Sequence, residues 1–238
     1  SDKIVLRMYG AKEAKKSEYP ELHKIVEEVA YSAEIPKPKV CIVPSQTPNA
    51  FATGRNPKNA VVACTEGILK LLTKEELKGV IGHEIGHVTN RDILITTIAA
   101  TIAAVISYAA NMAQFAAMFG GFGGRDRDEG GGSLLSILLL AIIAPIAALI
   151  VQLAISRARE YGADEASAKF VKNPEALARA LEKLESGIHA HPMQKTASAA
   201  ATSSLFIANP FSGGAFMSLF STHPPIAERA RRLRAMKI

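Results

Sequence analysis

Cysteine and aromatic residues are scarce in this sequence, and their scarcity excludes several kinds of protein. The 238 residues include two cysteines, no tryptophan and 6% aromatic residues. Cys41 and Cys64 lie in short apolar runs without the paired spacing of a metal site, so we interpret them as buried thiols in a reducing compartment. Sparse aromatic residues argue against base stacking, and a net charge of only +6 does not indicate a nucleic-acid-binding surface. No nucleic-acid partner is therefore expected.

The sequence also has no internal repeat, no phosphate-binding loop and no secretory signal peptide. It begins with Ser1, and we expect that an N-terminal part of a longer chain has been removed. Positive charge gathers in the closing helix, whose basic face either rests near anionic lipid headgroups or is solvated. The basic residues of that helix are Arg229, Arg231, Arg232, Arg234 and Lys237.

Charged residues are absent from two long stretches, positions 93–124 and 130–156. Each exceeds the roughly 20 apolar residues that a membrane-spanning helix needs, and Pro145 is compatible with a span. The polar, glycine-rich segment 120–132 is interpreted as a flexible linker between them. The pattern predicts a transmembrane helical hairpin over positions 93–155, and the alternative is a helical hairpin buried in a soluble protein.

The charges that flank the predicted hairpin indicate its orientation. Arg91 precedes it and Arg157 and Arg159 follow it, whereas the linker holds two arginines against three acidic residues. Positively charged flanks stay in the cytoplasm. We therefore expect a multi-pass protein of the cell (inner) membrane, in contact with the lipid bilayer, whose remaining chain faces the cytoplasm.

Sequence periodicity predicts the other elements. Strands are expected over 39–43, 50–53 and 60–65, with turn signals at Gly54, Asn56 and Pro57. Helices are expected over 21–33, 156–170 and 174–185, the last stopped by Gly187, and another begins near Pro225. The segment 188–221, rich in Ser, Ala and Gly, is expected to be partly irregular.

The most informative motif is His83-Glu84-Ile85-Gly86-His87. A capping box that opens with Thr73 and an apolar face at helical spacing place this motif on a helix. Residues four apart on a helix share one face, so both imidazoles can reach one zinc ion. Glu84 lies beside the open position of that ion, where water needs a general base. The motif predicts a zinc hydrolase, and the alternative is two histidines on an ordinary helix.

A catalytic zinc ion needs a third protein ligand. Glu160 and Asp164 are four residues apart on a predicted helix, so one can bind the metal while the other accepts the free N–H of a ligating histidine. Glu160 is the better candidate for the ligand. Nearby residues are small, as close packing against the zinc helix requires: Gly162, Ala163, Ala166, Ser167 and Ala168.

These motifs, in this order, resemble those of the HtpX family, which are membrane-embedded zinc endopeptidases of the gluzincin type related to the CAAX prenyl proteases. The resemblance covers essentially the whole chain. It rests on the segments 49–54 and 80–87, on Asn90-Arg91-Asp92, on the segment 156–164, and on Ser221-Thr222-His223-Pro224-Pro225. The family has two further spans ahead of the matching region, which we do not find here.

The resemblance assigns roles to the motif residues. It implies one zinc ion per chain held by His83, His87 and Glu160, with Glu84 activating water and Asp164 supporting a ligating histidine. His223 would stabilise the oxyanion or shuttle a proton. An extended substrate would pair with an edge strand formed by Asn49, Ala50, Phe51 and Ala52.

Together with the predicted elements, the resemblance implies an α+β fold, mainly α, in which a small sheet packs on a zincin-type helical catalytic domain with an inserted transmembrane helical hairpin. The catalytic domain would comprise residues 1–92 and 156–238, and the hairpin residues 93–155. The implied activity is peptide-bond hydrolysis without a covalent intermediate. The implied substrates are polypeptides, mainly damaged or misassembled membrane proteins, in quality control.

Two other readings of the sequence stay open. One is a non-catalytic membrane scaffold whose zinc is structural, although structural zinc usually has four protein ligands, often cysteines. The other is a soluble zinc peptidase whose apolar hairpin is buried.

Overall fold

Helices dominate the computed structural model, which describes residues 2–119, 131–190, 207 and 223–238. The helices are α1 (Asp2–Met8), α2 (Pro20–Ser32), α3 (Glu66–Leu71), α4 (Lys74–Thr89), α5 (Asp92–Phe119), α6 (Gly131–Val171), α7 (Pro174–Ala190) and α8 (Ile226–Ala235). The strands are β1 (Lys12–Glu13), β2 (Lys39–Val43), β3 (Ala50–Thr53) and β4 (Val61–Thr65). The predicted α+β fold, mainly helical with a small sheet, is confirmed.

The strands form one four-stranded mixed sheet in the order β1-β2-β4-β3. β2 and β4 are parallel, and the other two pairs are antiparallel, so β3 lies at an edge. Gly54 ends β3 with φ 132°, and a Cβ atom there would lie 2.4 Å from the carbonyl oxygen of Asn59, so this turn requires glycine.

Both faces of the sheet are covered at β2, β3 and β4, which explains why these three strands are mostly apolar rather than alternating. One face of β2 and β4 joins the main core through Val40, Ile42, Val62 and Cys64. The opposite face carries a smaller cluster around Cys41, Val43, Phe51, Val61 and Ala63, and α1 packs against it with Val5 and Leu6.

Helix α4 crosses the main core with a face of glycines. A Cβ atom on Gly79 would lie 2.9 Å from the backbone nitrogen of Leu177, and one on Gly86 would lie 3.0 Å from the Cβ of Ala166. The Oγ of Ser167 donates to the carbonyl oxygen of Gly79 at 2.7 Å. The backbones of α4, α6 and α7 therefore approach closely, as the small residues of α6 predict. Gly162 is the exception, since a Cβ atom there would have only ordinary contacts.

Residues Leu94–Ser156 form a separate compact unit. The segments Asp92–Phe115 and Ile142–Val171 are long and apolar enough to cross a membrane by length and composition. Only 11% and 6% of their apolar windows is buried inside the protein. A core helix of a soluble protein is mostly buried, so these exposures do not fit a hairpin buried in a soluble core.

Several predicted boundaries are wrong. The helix expected over 156–170 is the last part of α6, because no breaker separates it from the apolar segment and Pro145 is accommodated within the helix. Gly131 and Gly132, expected in the linker, also belong to α6. Gly187 does not stop α7; a Cβ atom there would lie 2.9 Å from Leu71, so this glycine serves packing.

Other differences concern elements that the sequence pattern did not indicate. The short elements α1, β1 and α3 were not predicted. The rest of the predicted linker, 120–130, and most of the segment expected to be irregular, 191–206 and 208–221, lie outside the described residues.

Candidate metal centre

The helix that carries the histidine pair begins at the predicted capping box. The backbone N–H of Thr73 donates to Glu76 Oε2 at 2.9 Å, and the N–H of Glu76 donates to Thr73 Oγ1 at 3.4 Å. The helix therefore starts at Lys74, which places His83 and His87 on one face in its second half. His83 is 1% exposed, and the His87 side chain is 19% exposed.

The two imidazoles and Glu160 converge on one point. His83 Nε2 lies 3.1 Å from His87 Nε2 and 3.6 Å from Glu160 Oε2, and His87 Nε2 lies 3.5 Å from Glu160 Oε1. Two nitrogens bound to one tetrahedral zinc ion at 2.0–2.1 Å are about 3.3 Å apart. The spacing of the three side chains therefore suits a single ion.

The protonation of the imidazoles supports the same conclusion. His83 Nδ1 lies 2.9 Å from Asp164 Oδ1, and His87 Nδ1 lies 2.5 Å from Asp92 Oδ2. A carboxylate only accepts, so each Nδ1 carries a proton that it donates. The Nε2 atoms then face each other with at most one proton between them, and a metal ion can take the position of that proton.

Glu160 adds a second indication that the group is a metal site. It is 5% exposed, and its buried Oε2 makes no hydrogen bond of acceptable geometry with the described residues. His223 Nδ1 and Arg229 Nη1 each lie 3.2 Å from this oxygen. A buried carboxylate oxygen without a well-aligned hydrogen bond is suited to binding a cation.

Asp92 reaches His87 because the chain reverses directly after α4. α4 ends at Thr89, Arg91 adopts a left-handed conformation with φ 54°, and Asp92 begins α5. The second oxygen of Asp92 lies 3.3 Å from Arg159 Nε. No role was predicted for Asp92, although its position five residues after a candidate ligand, just past a helix end, is an available signal.

Arg229 is the second residue that the sequence analysis missed. Its guanidinium donates two hydrogen bonds to Asp164, at 2.9 and 2.7 Å, and one to the carbonyl oxygen of Ile207 at 3.0 Å. Burial alone would lower the pKa of Arg229, but Asp164 and Glu160 raise it above the ordinary value. The signal was its spacing: Ile226, Ala230 and Leu233 form the buried face of α8, and Arg229 lies on that face.

Glu84 lies beside the ligand group and is held by the edge strand. Its Oε2 accepts the backbone N–H of Ala52 at 2.8 Å. Glu84 is 5% exposed, and burial raises its pKa to about 7 despite this hydrogen bond. A carboxyl group with a pKa near neutrality suits a general base.

Burial and neighbouring charges shift the pKa values of the two histidines in opposite directions. Burial, followed by the nearby His87, lowers the pKa of His83 to about 4, so its imidazole is neutral. Burial opposes protonation of His87 as well, but the hydrogen bond to Asp92 and the charge of Glu160 raise its pKa above the ordinary value.

The side chains of His83, His87 and Glu160 line a cavity of about 70 Å³. Besides His83, Glu84, His87 and Glu160, its lining includes Phe51, Ala52, Ile207 and His223. Of the residues predicted to hold a substrate, the structure therefore brings Phe51 and Ala52 to the cavity and not Asn49 and Ala50. Asn49 Oδ1 accepts the N–H of Ile207 at 3.3 Å, and Ala50 is buried in the main core.

Comparison with known proteins places the whole chain among metallopeptidases. The model of peptidase family M48 matches residues 16–237. A protease HtpX homolog from Syntrophobacter fumaroxidans is 53% identical over 236 residues, covering 99% of this chain and 83% of the relative. The protease HtpX homolog from Syntrophotalea carbinolica is 56% identical over 238 residues, covering 100% of this chain and 83% of the relative.

A solved structure shows a similar fold. The crystal structure of S. mikatae Ste24p matches with a TM-score of 0.65 and 20% sequence identity. The match covers 97% of this chain and 53% of that chain. At this identity the likeness concerns the fold alone.

Proposed function

Because the chain belongs to peptidase family M48 and is a membrane metalloprotease, we propose that it is a zinc endopeptidase with the ion held by His83, His87 and Glu160. The resemblance to the HtpX family is confirmed by these relatives. The observation that carries the proposal is the convergence of two imidazole nitrogens, 3.1 Å apart, on one buried carboxylate.

The donor set favours zinc and a catalytic role. Two imidazoles and one carboxylate form the ligand set of many catalytic zinc sites, which keep a fourth position for water. A structural site would need a fourth protein ligand, and both cysteines are buried elsewhere, in the sheet. When bound, zinc supplies Lewis acidity that polarises a carbonyl group and acidifies water.

Glu84 is the general base of the proposed reaction. Its Oε2 is held by the Ala52 N–H, which leaves Oε1 to take a proton from the attacking water. The water oxygen forms a bond to the carbonyl carbon, the C–N bond breaks, and Glu84 returns the proton to the leaving amine. The products are a carboxylic acid and an amine, and no covalent intermediate with the protein forms.

His223 completes the proposed machinery. It is 9% exposed, lines the cavity and lies 3.2 Å from Glu160. From this position a ring N–H can donate to the oxyanion that develops on the scissile carbonyl.

The edge strand β3 provides the proposed binding surface for a polypeptide. β3 pairs with β4 on one side, and the Ala52 N–H points to Glu84 on the other. An extended substrate that adds to this edge would pass directly beside the proposed base. Phe51 and Ala52 would contact it, and Asn49 and Ala50 would support the strand from within the protein.

The membrane arrangement extends the proposal to the substrate class. Residues 1–92 and 156–238 would form the catalytic domain, and residues 93–155 the transmembrane hairpin. The two compact units of the chain, split at Ile93 and Arg157, support this division. We place the catalytic domain on the cytoplasmic side of the inner membrane, where damaged or misassembled membrane proteins would be its substrates in quality control.

Zinc content and hydrolysis together test the proposal. The full chain, purified in detergent, is expected to bind one zinc ion and to cleave casein, and chelation should abolish cleavage. Glu160→Ala should lose both zinc and activity, whereas Glu165→Ala, an exposed carboxylate on the same helix, should keep both. A wild-type protein that holds zinc without hydrolysing any protein would favour the scaffold alternative, and one that binds no metal would refute the site.

A further inference from the structure

Arg229 has the largest fully buried side chain among the described residues. Its exposure is 0%, although arginine is rarely buried without complete pairing. A guanidinium in this position needs partners for its N–H groups, and its partners among the described residues lie at the candidate metal centre. This placement calls for an explanation beyond the packing of α8.

The first partner is Asp164, whose carboxylate accepts two parallel hydrogen bonds from the guanidinium. Nε donates to Oδ2 at 2.9 Å and Nη2 donates to Oδ1 at 2.7 Å. This bidentate geometry fixes both the position and the plane of a carboxylate. The same Oδ1 accepts from His83 Nδ1 at 2.9 Å, so the orientation of His83 depends on a carboxylate that Arg229 holds.

The remaining contacts connect Arg229 to His83 itself, to the third ligand and to the cavity wall. Nη2 lies 3.4 Å from His83 Nδ1 and 3.5 Å from His83 Nε2. Nη1 lies 3.2 Å from Glu160 Oε2 and donates to the carbonyl oxygen of Ile207 at 3.0 Å. Ile207 lines the cavity, and its N–H is held by Asn49. The Arg229 guanidinium therefore contacts the proposed ligand Glu160, the carboxylate of Asp164 that supports His83, and Ile207 in the cavity wall.

The charges explain why a cation is needed here before any metal is bound. Glu160 and Asp164 are one turn apart on α6, with exposures of 5% and 2%. Two buried carboxylates so close together repel each other and are costly to desolvate. The permanent positive charge of Arg229 lies against both and offsets this repulsion.

We propose that Arg229 is a positioning residue of the metal centre: it holds Asp164 against His83 and Glu160 toward both imidazoles, so that the ligands are grouped before the ion arrives. It acts through these residues and is not itself one of the proposed ligands. A lysine cannot replace it, because one ammonium cannot pair with both oxygens of Asp164 and also reach Glu160 and Ile207. The inference rests on the metal site of the proposed function.

Metal affinity tests the inference without measuring proteolysis. Zinc binding to the metal-free full chain in detergent is compared for the wild type, Arg229→Lys, Arg229→Gln and the control Arg234→Gln. Arg234 is an arginine on the same helix that also pairs with two carboxylates, Glu175 and Glu182, but at the surface. We expect the zinc dissociation constant to rise at least about tenfold in both Arg229 variants and to stay unchanged in the control.

Cobalt binding supplies a second readout, since the visible absorption of cobalt(II) reports the geometry of its ligands. The spectrum should change in Arg229→Lys and stay unchanged in Arg234→Gln. Wild-type zinc affinity and an unchanged cobalt spectrum in a folded Arg229→Lys would overturn the inference while leaving the metal site intact. Failure of both Arg229 variants to fold even with saturating zinc would assign Arg229 to the fold and would also overturn it. A wild type that binds no metal would instead refute the proposed function.

Discussion

Asp92 Oδ2 accepts a hydrogen bond from His87 Nδ1 at 2.5 Å, across the short turn between α4 and α5. This contact gives His87 the same kind of support that Asp164 gives His83. Carboxylates that hold a ligating imidazole fix its tautomer and raise its basicity. The two proposed ligands on α4 are thus oriented by carboxylates from different parts of the chain.

Replacing Asp92 should therefore weaken metal binding. In Asp92→Asn the neutral amide can still accept a hydrogen bond but no longer raises the basicity of His87. We expect the zinc dissociation constant to rise about 10–100-fold, measured by competition with a chelator. Glu165→Gln, an exposed acidic residue paired with Lys169, is the control and should leave the affinity unchanged. Equal affinity in Asp92→Asn and wild type would remove Asp92 from the site.

Glu84→Gln should separate metal binding from chemistry. Glutamine has the same shape and can still accept the Ala52 N–H, but it cannot take a proton from water. We expect full zinc content and a loss of casein hydrolysis by about 10²–10⁴-fold. Glu75→Gln, exposed in the first turn of the same helix, is the matched control. Wild-type activity in Glu84→Gln would eliminate Glu84 as the base.

Two glycine substitutions, one in α4 and one in α6, should have opposite effects on stability. Gly79→Ala would place a Cβ atom 2.9 Å from the backbone of Leu177, so we expect a loss of roughly 1–3 kcal/mol in the free energy of unfolding. Gly162→Ala meets only ordinary contacts in a helix interior, where alanine gains roughly 0.5–1 kcal/mol over glycine. Thermal unfolding in detergent measures both, and a stabilising Gly79→Ala would contradict the packing described above.

Acid should remove a contribution that Glu76 makes to stability. Burial acts to raise the pKa of Glu76, but the hydrogen bonds from Lys183 and Thr73 outweigh it and hold the pKa below the ordinary 4.5. Because the folded-state pKa is the lower one, this contribution is complete above the unfolded-state value and is lost as the pH falls through the folded-state value.

The measurement compares wild type with Glu76→Gln, which keeps a side chain suited to the capping box. We expect the variant to be less stable by about 1 kcal/mol at neutral pH, a modest figure because Lys183 is partly exposed. The difference should shrink as the pH falls below 4.5, the ordinary value. A difference that persists in acid would exclude ionisation of Glu76 as the cause.

Local pattern was sufficient for much of the fold. The capping box at Thr73, the strands over 39–43 and 50–53, and the charge-free stretches are all read from neighbouring residues, and the structure has the corresponding elements. Helix ends were less predictable where tertiary contacts decided them. Gly187 looks like a stop signal, but its missing side chain accommodates Leu71.

The site was predictable only in part. The ligand candidates share short motifs, so spacing alone pairs His83 with His87 and Glu160 with Asp164. Arg229 was grouped with the basic residues of the closing helix, and the structure separates it from them. Arg231 and Arg234 pair with acidic residues at the surface, and Arg232 lies over the ring of Tyr161. Which arginine of a basic helix turns inward depends on carboxylates far away in the sequence, which no local pattern contains.

The proposed ligands come from positions on either side of the apolar hairpin, so a bound ion would also contribute to the stability of the fold. An ion bound to His87 and Glu160 would fasten two remote portions of the backbone, much as a covalent cross-link restricts an unfolded polymer. Depleting cells of the metal would then have an effect beyond the loss of activity. Metal depletion would weaken the association of residues 1–92 with residues 156–238, and the protease itself would become more susceptible to degradation.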